Sequence, residues 1–224
     1  MPAALVWDDT GKKIYETGTK NGVLFVMDAN GNYGEGVAWN GLTAVTESNS
    51  GGEETALWAD DIKYASMRSA EEFGATIEAY QCPPEFYICD GSANLVDGVI
   101  INQQDRRGFG FSYVTTIGND VAGNGYGYKI HLIYGATASP SERSYQTIND
   151  SPDAMTLSWE VTTTPVTVTG FKPTAHLIID STAFATTAAQ QKLTDFKEIL
   201  YGSATAASRL PLPNEVKTLL TVGS

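Results

Sequence analysis

The sequence predicts a mainly β chain with one packed α-helix, arranged as a sandwich or barrel. Three observations carry this. Short runs of apolar residues, punctuated by Gly, Asn, Asp and Pro, fill most of the 224 residues. The run Met155-Thr-Leu-Ser-Trp-Glu-Val161 alternates without a break, which puts Met155, Leu157, Trp159 and Val161 on one face. One segment, Thr187 to Tyr201, departs to helical spacing, with Leu193, Phe196, Ile199 and Leu200 on one side.

Taken in chain order, a strand is expected over Gly22–Asp28, followed by a turn over Ala29–Gly34. The turn begins like a calcium loop, but Tyr33 stands where the sharp-turn glycine belongs and Trp39 where the closing carboxylate belongs, so a hairpin turn is expected. Gly74–Tyr80 reads as a strand ending at Pro83-Pro84. Phe109–Ile117 and Tyr126–Tyr134 flank GNDVAGNG and read as a long hairpin, because Gly and Asn tolerate positive φ. In its second strand Tyr128, Ile130, Leu132 and Tyr134 share a face, with Lys129 and His131 opposite. After the loop 139–153 comes the strand at Met155, running to Pro165, and then a strand at Ala175–Asp180. The helix is expected to start at a Thr187 cap, end at Gly202 and lie across a sheet. A shorter helical turn is expected over Asn214–Leu220 after Pro213.

The segment between Trp39 and Trp58 fits no strand. It contains SNSGG (48–52) and reads as a long polar loop over 47–56. Long loops in compact domains are functional or disordered. At 24.0 kDa the chain fits one large domain exposing roughly 10,000 Å² when folded.

Net charge is −12, which argues against binding nucleic acid through its phosphates. From Glu47 to Asp97 eleven acids stand against two bases, Lys63 and Arg68. They read as a solvated acidic surface or as a wall that repels a polyanion. Cys82 and Cys89 match no zinc framework and are expected as reduced thiols. The start, MPAALVWDDTGKK, lacks the basic and apolar regions of a leader, and no apolar run reaches membrane-spanning length, so assembly in the cytoplasm is expected.

No motif carries catalysis. His131 and His176 fall within strands and away from any nucleophile elbow, and read as strand or interface histidines. The acid doublets Asp8-Asp9, Glu53-Glu54, Asp60-Asp61 and Glu71-Glu72 point to opposite faces of a strand. Gly123-Asn-Gly-Tyr-Gly127 is a turn rather than a phosphate cradle, and Arg106-Arg107 a salt-bridge or turn feature. No catalytic residue, metal ligand or cofactor is therefore expected.

Several stretches resemble the major tail protein, the tail-tube subunit, of long-tailed phages and prophages of Gram-positive bacteria. They are GVAWNGLTAVTES (36–48), TALWADDIKY (55–64), SAEEFGATIEAY (69–80), GYKIHLIYGATASPSERSY (127–145), TINDSPDAMTLSWEVTTTPV (147–166) and GFKPTAHLIIDS (170–181). The resemblance runs through most of 1–185; the helical segment 186–224 is matched less closely and is expected to pack on the same domain. It implies a β-sandwich or barrel-like subunit that self-assembles into stacked, commonly hexameric rings in a virion tail. The lumen holds a tape-measure protein and later passes DNA without binding it specifically. Tail terminator and baseplate or distal tail proteins would be further partners, and no membrane is involved.

On this reading Trp39, Glu47, Ser50, Gly51, Gly52 and Trp58 are expected at the interface between subunits, with the loop ordering against the next copy. Glu53, Glu54, Asp60, Asp61 and Glu78 are expected to face the lumen. Three other classes compete. The first is a carbohydrate- or receptor-binding β-module using Tyr113, Tyr126 and Tyr128. The second is a hydrolase using His131, and the third a related ring-forming tube or tail-completion subunit.

Overall fold

The computed structural model describes residues 4–141, 143–148 and 154–222. The fold is mainly β. In chain order its strands are β1 (Ile14–Met27), β2 (Tyr33–Trp39), β3 (Leu42–Glu47), β4 (Ser50–Gly51), β5 (Glu54–Ala59), β6 (Ile62–Arg68), β7 (Glu71–Glu72) and β8 (Gly74–Ala79). After a short helix α1 (Tyr87–Asp90) come β9 (Ser92–Val96), β10 (Val99–Asn102), β11 (Phe109–Asn119), β12 (Gly123–Ala138), β13 (Leu157–Thr163) and β14 (His176–Asp180). Helices α2 (Thr187–Tyr201) and α3 (Pro213–Leu220) close the chain.

The main sheet runs β2-β1-β11-β12-β13-β8-β3, all antiparallel, with β14 also on β12. β12 serves two partners: Lys129–Ile133 pair with β14, and Ala136–Ala138 pair with β13. The change of partner falls at Gly135, where the register against β11 slips and φ is +58°. A Cβ there would sit 2.1 Å from the Thr164 carbonyl oxygen, so only glycine fits this bulge. The bulge folds β13, β8 and β3 over the face of β1, β11 and β12, giving a sandwich.

Alternation along the central strands sorts their side chains into two cores. One face contributes Leu24, Phe109, Phe111, Tyr113 and Ile133, which meet Ala75, Ile77, Trp159 and Val161 of the second sheet together with Trp39, Phe86 and Cys89. Trp39, Phe86 and Trp159 are mutually packed, with ring centroids 4.6 to 5.3 Å apart. Each such buried aromatic stabilises by roughly 1.5–3 kcal/mol over leaving it in water. The other face contributes Val23, Phe25, Val114, Ile130, Leu132 and Tyr134, which meet Leu193, Phe196 and Leu200 of α2 and Val216 of α3.

The helix forms where the periodicity places it. Its start is capped one residue earlier than expected: Thr186, not Thr187, accepts from the Ala189 amide at 3.2 Å. Gly202 follows at φ +81°. The Asp28 turn is an Asx turn, in which the carboxylate accepts from the Asn30 and Asn32 amides at 2.8 and 2.9 Å. Strand β13 starts at Leu157, leaving Met155 exposed. Of the loop 139–153, Glu142 and 149–153 lie outside the described residues. Both cysteines are free, and burial pushes the Cys89 thiol up to about 12. Among the described residues no helix is long and apolar enough to cross a membrane.

The expectation of a compact surface is corrected. The chain exposes 14446 Å², against roughly 10,000 Å² for a compact monomer of its mass. The large apolar side chains left exposed include Trp7, Trp58, Ile62 and Met67.

Candidate functional site

The segment expected as a loop is not one. β3 and β8 continue past their sheet: Ser48 and Gly74 exchange backbone hydrogen bonds at 2.8 and 3.0 Å, β4 pairs with β7, and β5 pairs with β6. Residues 48–73 therefore form a two-stranded arm. Its tip is Asp60-Asp61, both in the left-handed region at φ +52° and +61°, the backbone of a two-residue hairpin turn. Ser50, Gly51 and Gly52 are not a loose linker either. Gly51 and Gly52 have φ of +79° and +72°, and a Cβ on Gly51 would lie 2.1 Å from the Ala70 carbonyl oxygen. The glycines let the two strands of the arm approach closely at its root. Alternation in 54–59 and 62–68 around an Asp-Asp turn was the available sequence signal, masked by the polar stretch before it.

Alternation makes the arm two-faced. Leu57, Ala59, Ile62, Ala65 and Met67 point one way together with Thr55, a face that is apolar except for that one hydroxyl. Glu54, Lys63 and Arg68 point the other, beside Trp58. Glu54 pairs with Lys63 at 2.5 Å and with Arg68 at 3.7 Å, and the hydrogen bonds from Lys63 and Ser66 hold its carboxyl below its ordinary value. Leu57, Trp58, Ile62, Tyr64 and Met67 are all exposed. An isolated two-stranded ribbon is marginal in water, and this one presents apolar side chains that are left exposed among the described residues.

The predicted interface residues divide. Trp58 is 70% exposed on the arm, whereas Trp39 is 2% exposed and donates Nε1–H to the Gln81 carbonyl at 2.8 Å. Trp39 belongs to the core of its own subunit, so it offers nothing to a neighbour. The predicted lumen acids divide as well. Glu53, Glu54, Asp60 and Asp61 lie on the arm, and Glu54 is already neutralised by its two partners. Glu78 lies on the outward face of β8, where Thr46, Thr76, Ser158, Glu160 and Thr162 surround it in register. Those outward positions carry two carboxylates and no base. The three tyrosines of the glycan-binding alternative do not form one platform: Tyr113 is buried between the sheets, while Tyr126 and Tyr128 line one groove beside α2, with the Lys197 ammonium 5.3 Å from the Tyr128 ring.

At the root of the arm the sheets enclose a polar cluster that periodicity alone did not reveal. Glu47 ends β3, His131 sits on β12 and His176 opens β14. His131 Nδ1 lies 3.2 Å from His176 Nε2, and Glu47 Oε1 lies 3.3 Å from the first and 3.5 Å from the second. Tyr113 donates its hydroxyl to the same Glu47 oxygen at 2.7 Å. The rings of Tyr113, His131, His176 and Phe73 follow one another, with centroids 4.4, 5.4 and 4.5 Å apart. Behind them Thr115 Oγ1 donates to Glu16 at 2.5 Å and lies 3.1 Å from His131 Nε2, and Lys129 pairs with Glu16 at 2.5 Å.

The network sets the protonation states. The Thr115 proton goes to Glu16, so Thr115 accepts from His131 Nε2–H, and His131 Nδ1 keeps its lone pair. Burial pushes His131 below its ordinary value and His176 down to about 4, against the opposing pull of Glu47. Both are neutral at pH 7. Burial, reinforced by the bond to Glu47, raises the Tyr113 hydroxyl. Thr115, His131 and Glu47 follow the order of a hydroxyl–imidazole–carboxylate triad, but the ring presents N–H to Thr115 and cannot take its proton.

Comparison of the chain with protein-family models and with curated proteins finds no match in either.

Proposed function

We propose that the chain is a structural tube subunit that assembles with copies of itself into stacked rings of a phage tail, with an acidic lumen that passes DNA. The observation that carries this reading is the arm: an amphipathic β-ribbon whose mainly apolar face is left uncovered among the described residues. The surplus of exposed surface, roughly 4,000 Å² above a compact monomer, is several times the roughly 800 Å² that each partner gives to a standard interface. A subunit touching neighbours beside, above and below would use such a surplus. The resemblance over 36–80 and 127–181 points the same way.

In the tube, Leu57, Ile62 and Met67 are buried by a second copy, and Trp58 and Tyr64 anchor the rim of that contact. The outward face of β8 and β13, bearing Glu78 and Glu160, lines the lumen and keeps DNA mobile within about 8 Å of the wall. Tape-measure protein, terminator and distal tail proteins are partners on the same reading.

The test is electron microscopy and sedimentation of the purified full chain, alone and with tail partners as seeds, beside the double variant Leu57→Glu/Met67→Glu. Wild type is expected to form tubes, and the variant to remain a monomer with an unchanged thermal melt. Wild type that stays monomeric under seeding, or a variant that forms tubes equally well, would refute the reading.

A further inference from the structure

We infer that Glu47, His131 and His176 form a zinc-binding site that locks the root of the arm to the sandwich. The inference rests on the geometry of these three side chains and stands whether or not the chain forms tubes.

The three donor atoms make a triangle with edges of 3.2, 3.3 and 3.5 Å. Zinc holds imidazole nitrogen and carboxylate oxygen at about 2.0–2.2 Å in a tetrahedron, whose edges are then about 3.3–3.6 Å. An octahedral magnesium site, at about 2.0–2.1 Å, needs edges of about 2.9 Å and prefers all-oxygen ligands. Two imidazoles and one carboxylate at tetrahedral spacing select zinc over the hard cations.

Neighbouring side chains already hold two of the three donors. His131 gives its Nε2–H to Thr115, which leaves Nδ1 as a lone-pair donor toward the triangle. A ligating histidine usually has its other ring nitrogen held in this way. Tyr113 holds the Glu47 carboxylate. Lys129 pairs with Glu16, whereas the Glu47 carboxylate is paired with no lysine or arginine among the described residues.

Access is from the arm side. The His131 and His176 side chains are 6% and 12% exposed, whereas Glu47 is 36% exposed. A groove of about 720 Å³, lined in part by Arg68, Glu71, Phe73 and Lys172, opens beside His176. The fourth ligand is therefore water. The ion would join the end of β3, where the arm departs, to β12 and β14.

The test uses the full chain after treatment with a chelator. Zinc chloride is titrated by calorimetry, and cobalt(II) is followed by absorption. One zinc per chain with a micromolar or tighter Kd is expected, along with the strong visible bands of tetrahedral cobalt. His176→Gln and Glu47→Gln should each weaken binding at least 100-fold, and Thr115→Val, which frees the His131 tautomer, about 10-fold. Cys82→Ser should leave it unchanged. Zinc binding that persists in His176→Gln or disappears in Cys82→Ser would overturn the inference. The wild-type chain decides even if the variants fail to fold: no zinc heat, or a purely octahedral cobalt spectrum, would also overturn it.

Discussion

Trp39 and Trp58 stand 19 residues apart in the chain and meet opposite fates. Trp39 ends β2 under Phe86 and Trp159, with its indole N–H satisfied. Trp58 lies on a ribbon with water on both sides. The sandwich completes its packing alone, whereas the arm is held by its ladder hydrogen bonds and its turn, with its apolar face left over. Residue type is thus a poor guide to role. What separates the two tryptophans is whether a second layer lies opposite.

The comparison can be broken most directly by removing each ring. Trp39→Ala is expected to cost about 3–5 kcal/mol, the range for deleting a buried aromatic, read as a large drop in the thermal or denaturant midpoint of the monomer. Acid down to about pH 4 gives the next largest effect and acts chiefly on the sandwich, where both histidines lie. His131 and His176 are neutral when folded, whereas the unfolded rings titrate near 6.5. The unfolded chain therefore binds protons that the fold refuses. The stability from neutral burial is fully present above pH 6.5 and is lost as pH falls from there toward about 4. Melts of metal-free protein should shift down across that window, by roughly 1–3 kcal/mol in stability, and His176→Gln should flatten the profile.

A finer test lies inside the aromatic core. Trp39 Nε1 has the Gln81 carbonyl as its acceptor, whereas Trp159 Nε1 is buried with no partner among the described residues. Trp39→Phe should therefore cost about 1 kcal/mol more than Trp159→Phe in paired denaturant titrations. The smallest expected effect is Trp58→Ala, within about 0.5 kcal/mol of wild type in monomer stability, yet measurably weakening assembly by sedimentation. If Trp58→Ala destabilised the monomer as much as Trp39→Ala, the contrast between the two regions would be wrong.

Periodicity reached most of the sandwich. The alternation in 109–117, 126–134 and 157–161 put the right side chains on shared faces, with Met155 left exposed, and the helix forms over 187–201, capped one residue early, because Leu193, Phe196 and Leu200 repeat at its pitch. It failed at 47–56, where Ser, Asn and Gly suggested a loop although two glycines at positive φ were shaping a ribbon. It also misjudged Trp39, because an aromatic beside a polar stretch looks the same whether a sheet or a neighbour covers it.

The sequence by itself determined most of the central strands of the sandwich, which face of each is apolar, where the helix lies, and that the chain is strongly acidic. All of these depend on residues a few positions apart, so a single strand or turn reports them. Only the tertiary structure decided that Glu47, His131 and His176 meet. Alternation tells which side of a strand a histidine occupies but not which strand lies beside it, and that choice follows from the Gly135 bulge, which hands β12 from β14 to β13 and brings the end of β3 over both rings.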